Sequence, residues 1–413
     1  MPNTPKSNNF VWTLFQGNIG HSYKATKELP NLFSNNIPDI YCIQEPYIYA
    51  GSTFLPTKWR TIFHPEGRVL ISIRNPNIAA VIKHINKHFV CIEVSKGLET
   101  FSIISFYFPP SSNKNNLFRE LNELIDAIRP KQLFLVGDGN IQSELWGPDR
   151  DDIKRKRDFG GPMIDFILYQ NLLVWNDSTA GPTFQTNNGR SWIDVTLSTF
   201  SFYDRKDSWQ LERSTLSDHS YILFSLAGQV HSPPKQLHIS KRKLKQLAMT
   251  IVKHYKTHLD TVQKFKSKDE VDNFITHLTS LIHSTCFSSL TNSKPHVVPW
   301  WDSTLETQRK LTRALRSRYQ RCKNPEERAK RRQTFKKEEA KYKWLIGTKS
   351  RQALENLCVE TTKFNPFDLP YKIARGKIRP QIVFQTVKNH SGQLTSGLQD
   401  TIQEIISTLF PRD

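Results

Sequence analysis

The sequence has no apolar run near the roughly 20 residues that a membrane-spanning helix needs. Its longest apolar stretches, around Phe101–Phe108 and Phe166–Trp175, fall well short, so no membrane partner is expected. Cysteine is sparse. The five residues Cys42, Cys91, Cys286, Cys322 and Cys358 are scattered with no CxxC pair, which excludes a disulfide framework and a zinc ribbon. Neither GxGxxG nor GxxxxGK[ST] occurs, so nothing argues for a dinucleotide or P-loop site. The first ten residues hold one lysine and no apolar run behind it, unlike a secretory leader. A reducing compartment, nucleus or cytoplasm, is expected rather than secretion.

The second half is also short of acidic residues. The net charge is +20, and it is not evenly spread. Residues 1–228 carry 23 Lys+Arg against 22 Asp+Glu, whereas 229–413 carry 35 against 16. Segregation on this scale points to a polyanion, nucleic acid before membrane.

What is present in the first half is a series of short strands with few helices. Strand-like runs fall at Val11–Asn18, Ile40–Gln44, Val69–Ser72, Ala79–Ile82, Phe89–Val94, Phe101–Phe108, Leu133–Val136, Leu172–Trp175, Ile193–Leu197 and Tyr221–Ser225. Helices are expected at Tyr23–Phe33, Leu117–Ile128 and Gly161–Gln170, the second with a clear 3.6-residue period. Strands and helices do not alternate evenly, which disfavours a doubly wound fold and favours stacked sheets flanked by helices. Gly228–Pro234 reads as a linker. Beyond it Lys241–Lys268 is Lys-rich and helical in pattern, and Leu305–Arg351 is a strongly basic helical region.

Polar residues cluster at strand ends. Asn18, Glu45, Asp138, Asn140, Asp194, Asp218 and His219 each lie at or beside the end of a strand-like run. One aspartate after a strand is ordinarily a turn residue or a cap. Several carboxylates, two asparagines and a histidine in this arrangement point instead to a site that holds a cation, because converging carboxylates repel without one.

These residues sit in motifs that resemble a known family. They are Asn18 in QGNIG, Glu45 in IQEPY, Tyr107 in FYFPPS, Asp138 and Asn140 in LVGDGN, Asp194 in SWIDVTL, and Asp218-His219 in LSDHS. In this order they resemble the endonuclease/exonuclease/phosphatase superfamily, which includes DNase I-like and apurinic/apyrimidinic-type endonucleases. ELWG at 144–147, PTF at 182–184 and SWIDVTL are similar to the endonuclease domain of jockey-like non-LTR retrotransposon polyproteins. PWWDSTLETQRKLTRALRSRY at 299–319, YKWLIGTKSRQ at 342–352 and FNPFDLPYKIARGK at 364–377 resemble the segment that joins that endonuclease to its reverse transcriptase. No YxDD string occurs, so reverse transcription is not expected from this chain, and a reverse-transcriptase domain is read as a missing partner.

The resemblance implies a four-layer α/β sandwich, two packed β-sheets flanked by helices, over residues 1–228. Residues 229–298 would be a linker with helices, and 299–413 a basic helical segment. It implies a DNA endonuclease that nicks a target duplex and leaves a 3′-hydroxyl for target-primed reverse transcription, with Mg²⁺ or Mn²⁺ as cofactor and element RNA as a further partner. Asn18, Glu45 and Asp218 would hold the metal. Asp138 would take a proton from the attacking water with Asn140 orienting it, His219 would donate to a phosphate oxygen with Asp194 fixing its tautomer, and Tyr107 would donate to the phosphate or leaving group. Gly139 replaces the Phe or Val common in the GD-x-N motif, and a looser backbone is expected there. Gly20 stands where cellular relatives carry a carboxylate.

Other residues are ambiguous. Burial is the usual fate of tryptophan, and of Trp146, Trp175 and Trp192 only Trp192 is given a DNA-facing alternative. The basic run Lys154–Arg157 is either a solvated loop or a phosphate contact. The pair Trp300-Trp301 reads as an anchor in a groove rather than a base stacker. Two other functions compete: a phosphatase or phosphodiesterase of the same superfamily, and a catalytically idle nucleic-acid-binding remnant of a retroelement.

Overall fold

The computed structural model describes residues 11–227 and 298–410, without 34–35, 98, 149–159, 187–188, 376, 378–382, 390 and 396, and scattered residues between 249 and 279. The run Lys154–Arg157, the linker Gly228–Pro234 and most of Lys241–Lys268 lie outside the described residues. Met1–Ser232 and Val297–Asp413 form one compact unit, and Pro233–His296 a second, in which 270–276 are helical.

The first half folds as a four-layer α/β sandwich. One sheet has six strands, in the order β13 (Lys206–Arg213), β14 (Ser220–Ala227), β1 (Val11–Asn18), β2 (Ile40–Gln44), β4 (Val69–Ile73) and β3 (Arg60–Phe63). The other has seven: β15 (Phe384–Gln385), β5 (Ala79–Ile85), β6 (Phe89–Lys96), β7 (Glu99–Tyr107), β8 (Leu133–Asp138), β12 (Asp194–Thr199) and β9 (Leu172–Val174). A two-stranded ribbon joins β10 (Phe184–Gln185) to β11 (Arg190–Ser191). Both β3 and β13 were absent from the sequence reading. β3 is four residues long, and β13 is a charged edge strand that contributes only Trp209 and Leu211 to the core.

Alternation along the strands decides what each face carries. In β1, Trp12 and Leu14 enter the core between the sheets, and Phe15 enters the cluster on the outer face. In β8, Phe134 and Val136 face inward while Leu133 and Leu135 face outward. The same parity carries Gln16 and Asn18, and then Asp138, onto the inner face. That face is therefore apolar along most of its length and polar at one end. Buried side chains bridge the sheets there. Gln16 Nε2 donates to Gly137 O (3.2 Å) and Val195 O (3.0 Å), Thr196 Oγ1 donates to Gln16 Oε1 (2.8 Å), and Gln44 Nε2 donates to Ser105 Oγ (3.0 Å).

The flanking layers follow from amphipathic helices. Helix α2 (Lys114–Ile128) is capped by Asn113 and buries Leu117, Phe118, Leu121, Leu124 and Ile125, which with α3 (Gly161–Tyr169) cover the seven-stranded sheet. On the other side α1 (Tyr23–Glu28) replaces the longer helix expected through Phe33, because Pro30 opens a 3₁₀ turn, Leu29–Asn31. The basic region, expected to be helical, holds two long helices. α4 (Ser303–Arg321) starts at an Asp302 cap, and α5 (Pro325–Phe364) starts at an Asn324 cap with Pro325 in its first turn. Leu305, Tyr342 and Ile346 of these helices are buried in the same cluster as Phe15, Tyr41 and α1 residues. Two short helices follow, α6 (Leu369–Ala374) and α7 (Leu398–Leu409). Among the described residues no helix is long and apolar enough to cross a membrane.

Candidate active site

The polar end of the sandwich gathers the ends of six strands. Parallel pairing of β1 with β2 sets Asn18 opposite Gln44, so Glu45 follows directly beside it. Parallel pairing of β7 with β8 sets Tyr107 opposite Asp138, and antiparallel pairing of β8 with β12 sets Asp138 opposite Asp194. His219 immediately precedes β14. The expected residues Asn18, Glu45, Tyr107, Asp138, Asn140, Asp194 and His219 thus converge.

Three of them form a tight cluster. Ligand atoms of Asp138, Asp194 and His219 all lie within 4.8 Å of one another. His219 Nδ1 donates to Asp194 Oδ2 at 3.0 Å, and its Nε2 lies 3.8 Å from Asp138 Oδ2. Burial opposes a charge on His219, but the carboxylates of Asp194, Asp138 and Glu45 outweigh it and raise its pKa to about 9. Asp138 is fully buried, and burial together with Asp194 pushes its pKa above the usual carboxylate range. Asn18 Nδ2 donates to Asp138 Oδ2 at 2.9 Å.

Glu45 lies on the other side of Asn18. It has φ +46°, in the left-handed region that a residue with a long side chain rarely adopts. Strain of this kind persists where the surroundings over-determine it. Tyr107 Oη donates to Glu45 Oε1 at 2.8 Å, and His21 Nε2 and Arg68 stand 3.6 and 3.5 Å away. Burial works against the Glu45 carboxylate, but hydrogen bonds from His21, Tyr107 and Asn18 prevail and lower its pKa to about 2. Burial and Glu45 raise the pKa of Tyr107, which keeps its proton. Asn140 also has positive φ, +49°. Its backbone N–H donates to Asp138 Oδ1 (3.0 Å) and its Nδ2 to Phe108 O (2.9 Å). With Gly139 N donating to Ile193 O (3.0 Å), this turn is pinned, so Gly139 does not loosen it.

Asp218 stands apart from the cluster. Its side chain is 64% exposed at the rim and lies 3.3 Å from Arg316 of α4. Trp146, Trp175 and Trp192 are all buried, and the Arg190 guanidinium lies over the Trp192 ring, 5.8 Å from its centre. Trp146 Nε1 donates to Ile141 O and Trp192 O, which makes ELWG a support beneath the site. PTF has an equally local explanation. Thr183 Oγ1 accepts from the N–H groups of Ile193 and Asp194 (3.0 and 3.1 Å), and Phe184 packs on the His219 ring at 4.8 Å. Trp301 is partly buried beneath Arg309, and with Trp300 packs against the outer cluster, as expected of an anchor.

The sequence reading missed His21, Arg68 and the bridging residues Gln16, Gln44 and Thr196. Gln16 and Gln44 lie in expected strands on the parity of Asn18, a signal that was available. Arg68 reaches Glu45 only through the β2–β4 pairing.

A cleft of about 440 Å³ opens on this site. Asn18, Glu45, Asp218 and His219 line one side, and Arg316, Arg332, Lys336 and Lys343 of the basic helices line another.

Residues 101–223 match the family model described as endonuclease-reverse transcriptase. That stretch lies within the sandwich and is similar to the endonuclease/exonuclease/phosphatase superfamily. Solved structures are similar at low identity. The endonuclease domain of TRAS1, a telomere-specific non-LTR retrotransposon, is 21% identical, over 53% of this chain and 99% of its own, with a TM-score of 0.46. A 3′ phosphatase from Neisseria bound to a product DNA hairpin is 16% identical, over 52% and 100%, with a TM-score of 0.43. An AP endonuclease from Archaeoglobus fulgidus is 15% identical, over 53% and 100%, with a TM-score of 0.42. No curated protein matches the chain in sequence. Superfamily members are hydrolytic nucleases and phosphatases.

Proposed function

We propose that this chain is a divalent-metal-dependent DNA endonuclease that nicks one strand and leaves a 3′-hydroxyl for target-primed reverse transcription by a non-LTR retrotransposon. The observation that carries it is the buried Asp138–His219–Asp194 cluster, tied through Asn18 to the ionised Glu45 and opening on a cleft with a basic wall. The reverse-transcriptase association is supported by the family match alone.

The donor set fits a hard cation. Glu45 offers an ionised carboxylate, the oxygen ligand that Mg²⁺ and Mn²⁺ prefer, and the Asn18 amide oxygen, which accepts from Gly20 N at 2.9 Å, keeps a second lone pair for the cation. The Asp194–His219 pair is occupied with itself and fits that role less well, as does Asp218, which is turned to Arg316. Bound there, a divalent cation would neutralise phosphate charge.

The protein's own groups supply the rest. The raised pKa of Asp138 suits a base near neutral pH, and Asn140, fixed by its two hydrogen bonds, orients the attacking water. His219, protonated and held by Asp194, donates to a non-bridging phosphate oxygen. Tyr107, which holds its proton, donates toward the same phosphate. The water oxygen bonds to phosphorus, its proton passes to Asp138, and the P–O3′ bond breaks. The O3′ atom takes a proton from solvent, giving a 3′-hydroxyl and a 5′-phosphate.

Supercoiled plasmid tests this. Nicking with Mg²⁺ that EDTA abolishes, with ends that a polymerase extends without phosphatase treatment, is the expected result. Phosphate release from small esters with the plasmid left intact would favour a phosphatase. Plasmid binding without cutting would favour the idle remnant.

A further inference from the structure

The basic helical segment begins as a built part of the cleft. Helices α4 and α5 are anchored on the sandwich by Leu305, Tyr342 and Ile346, and Tyr342 Oη donates to the buried Glu28 at 2.6 Å. From that footing Arg316 reaches the turn that precedes His219. Its side chain is only 11% exposed. One guanidinium nitrogen donates to Ser214 O (2.6 Å) and Ser217 O (2.7 Å), and the other to Asp218 Oδ1 (3.3 Å). The turn passes this support on. Ser217 Oγ donates to Asn18 O at 2.8 Å and accepts from His219 N at 3.2 Å.

The same helices present charge to the cleft. Arg332, Lys336 and Lys343 line it. Lys336 and Lys343 share one carboxylate, Glu339, at 2.7 and 2.9 Å, so the wall keeps a positive surplus. Tyr319 stacks on Phe335 with ring centres 5.5 Å apart, which locks the two helices together at this point.

We propose that the α4–α5 hairpin is an integral wall of the catalytic cleft, in which Arg316 positions the turn that carries His219 and Arg332, Lys336 and Lys343 hold the phosphodiester backbone of the DNA strand. The proposal rests on the nuclease reading above. It makes the two roles separable. Arg316 acts through His219 and touches no substrate, so it governs turnover. The lysines act on phosphates and govern binding.

The test uses the full chain in plasmid nicking with Mg²⁺. Arg316→Ala should lower kcat about 10-fold or more with KM within about threefold, the signature of a lost arrangement rather than lost binding. Arg316→Lys should recover only part of the loss, because an ammonium lacks the planar fork that serves both carbonyls from one nitrogen and Asp218 from the other. The Lys336→Gln/Lys343→Gln double variant should raise KM about 10-fold and flatten the salt dependence by roughly two phosphate contacts. Lys310→Gln, on the exposed face of α4, should match the wild type. Hydrogen exchange supplies the second readout. In Arg316→Ala the amides of 214–220 should exchange faster while α4 and α5 stay protected. Wild-type kcat and wild-type exchange in a folded Arg316→Ala overturn the positioning role. Wild-type KM and salt slope in the double lysine variant overturn the phosphate wall. If Arg316→Ala does not fold, Arg316→Lys decides by the same two measurements. If the wild type cuts no DNA, the nuclease reading has failed, and exchange together with duplex affinity still decides the proposal.

Discussion

Asn18 and Asp138 belong to different sheets and are joined by a 2.9 Å hydrogen bond from Asn18 Nδ2 to Asp138 Oδ2. Each is the last inward-facing residue of its strand, and each continues an apolar row, Trp12 and Leu14 in one case, Phe134 and Val136 in the other. The bond therefore closes the sandwich where its core gives way to polar chemistry. The other end of the Asn18 amide is also fixed, with Oδ1 accepting from Gly20 N at 2.9 Å. The Glu45 and Asp138 sides of the site are thus held in one frame.

Asn18→Ala should leave the buried Asp138 carboxylate short of a donor. A stability loss of about 1–3 kcal/mol is expected from chemical denaturation. Asn18→Asp should be worse at neutral pH, because two carboxylates would meet where one bond now holds, and it should recover in acid. If Asn18→Asp proves as stable as wild type at pH 7, the bond does not hold this seam together.

Glu45→Gln should reduce Mg²⁺-dependent nicking by about 10²-fold or more, since it removes the charge that holds the cation while keeping the size of the side chain. Higher Mg²⁺ should restore part of the activity. Wild-type rates at low Mg²⁺ would remove Glu45 from the metal site.

Much of this arrangement was legible in the strand runs. Each expected run in the first half corresponds to an observed strand, and parity along those runs places Asn18, Gln44, Tyr107, Asp138 and Asp194 on one face. Less accessible were contacts that depend on which strands pair. His21 and Arg68 reach Glu45 because β2 lies between β1 and β4, and nothing local to either residue announces that. Basic helices were legible as helices, but not their seat. An amphipathic pattern shows that a face is buried without showing against what. The apolar residues Leu305, Tyr342 and Ile346 are too few among the charges to distinguish a docked hairpin from a free one.

The protonation of His219 has a consequence for stability. Its folded-state pKa is raised to about 9 from 6.5, as the surrounding carboxylates outweigh burial. A basic group raised in this way contributes stability that is complete below 6.5 and is lost as pH rises through about 9. Asp138, also raised, acts with the same sign at lower pH. The metal-free chain should therefore lose stability between these limits in urea titrations, and His219→Gln should flatten the curve. An identical slope in His219→Gln would mean that other groups set it.

Docking of the basic hairpin can be measured without reference to activity. Glu28 is fully buried, and burial raises its pKa against the pull of Arg313, Tyr342 and Arg309. Its Oε1 accepts from Tyr342 Oη at 2.6 Å, while Oε2 has no hydrogen-bond partner among the described residues. Tyr342→Phe removes the donor and leaves a buried acceptor bare, which should cost about 1–3 kcal/mol. Glu28→Gln should cost less, because a neutral amide is easier to bury than a carboxylate. The two residues lie on α5 and α1, so the double variant should show a coupling of about 1 kcal/mol or more, as expected for groups in direct contact. Additive losses in the thermal unfolding of the full chain would mean that α5 does not rest on α1 through this bond. The wall of the cleft would then need another anchor.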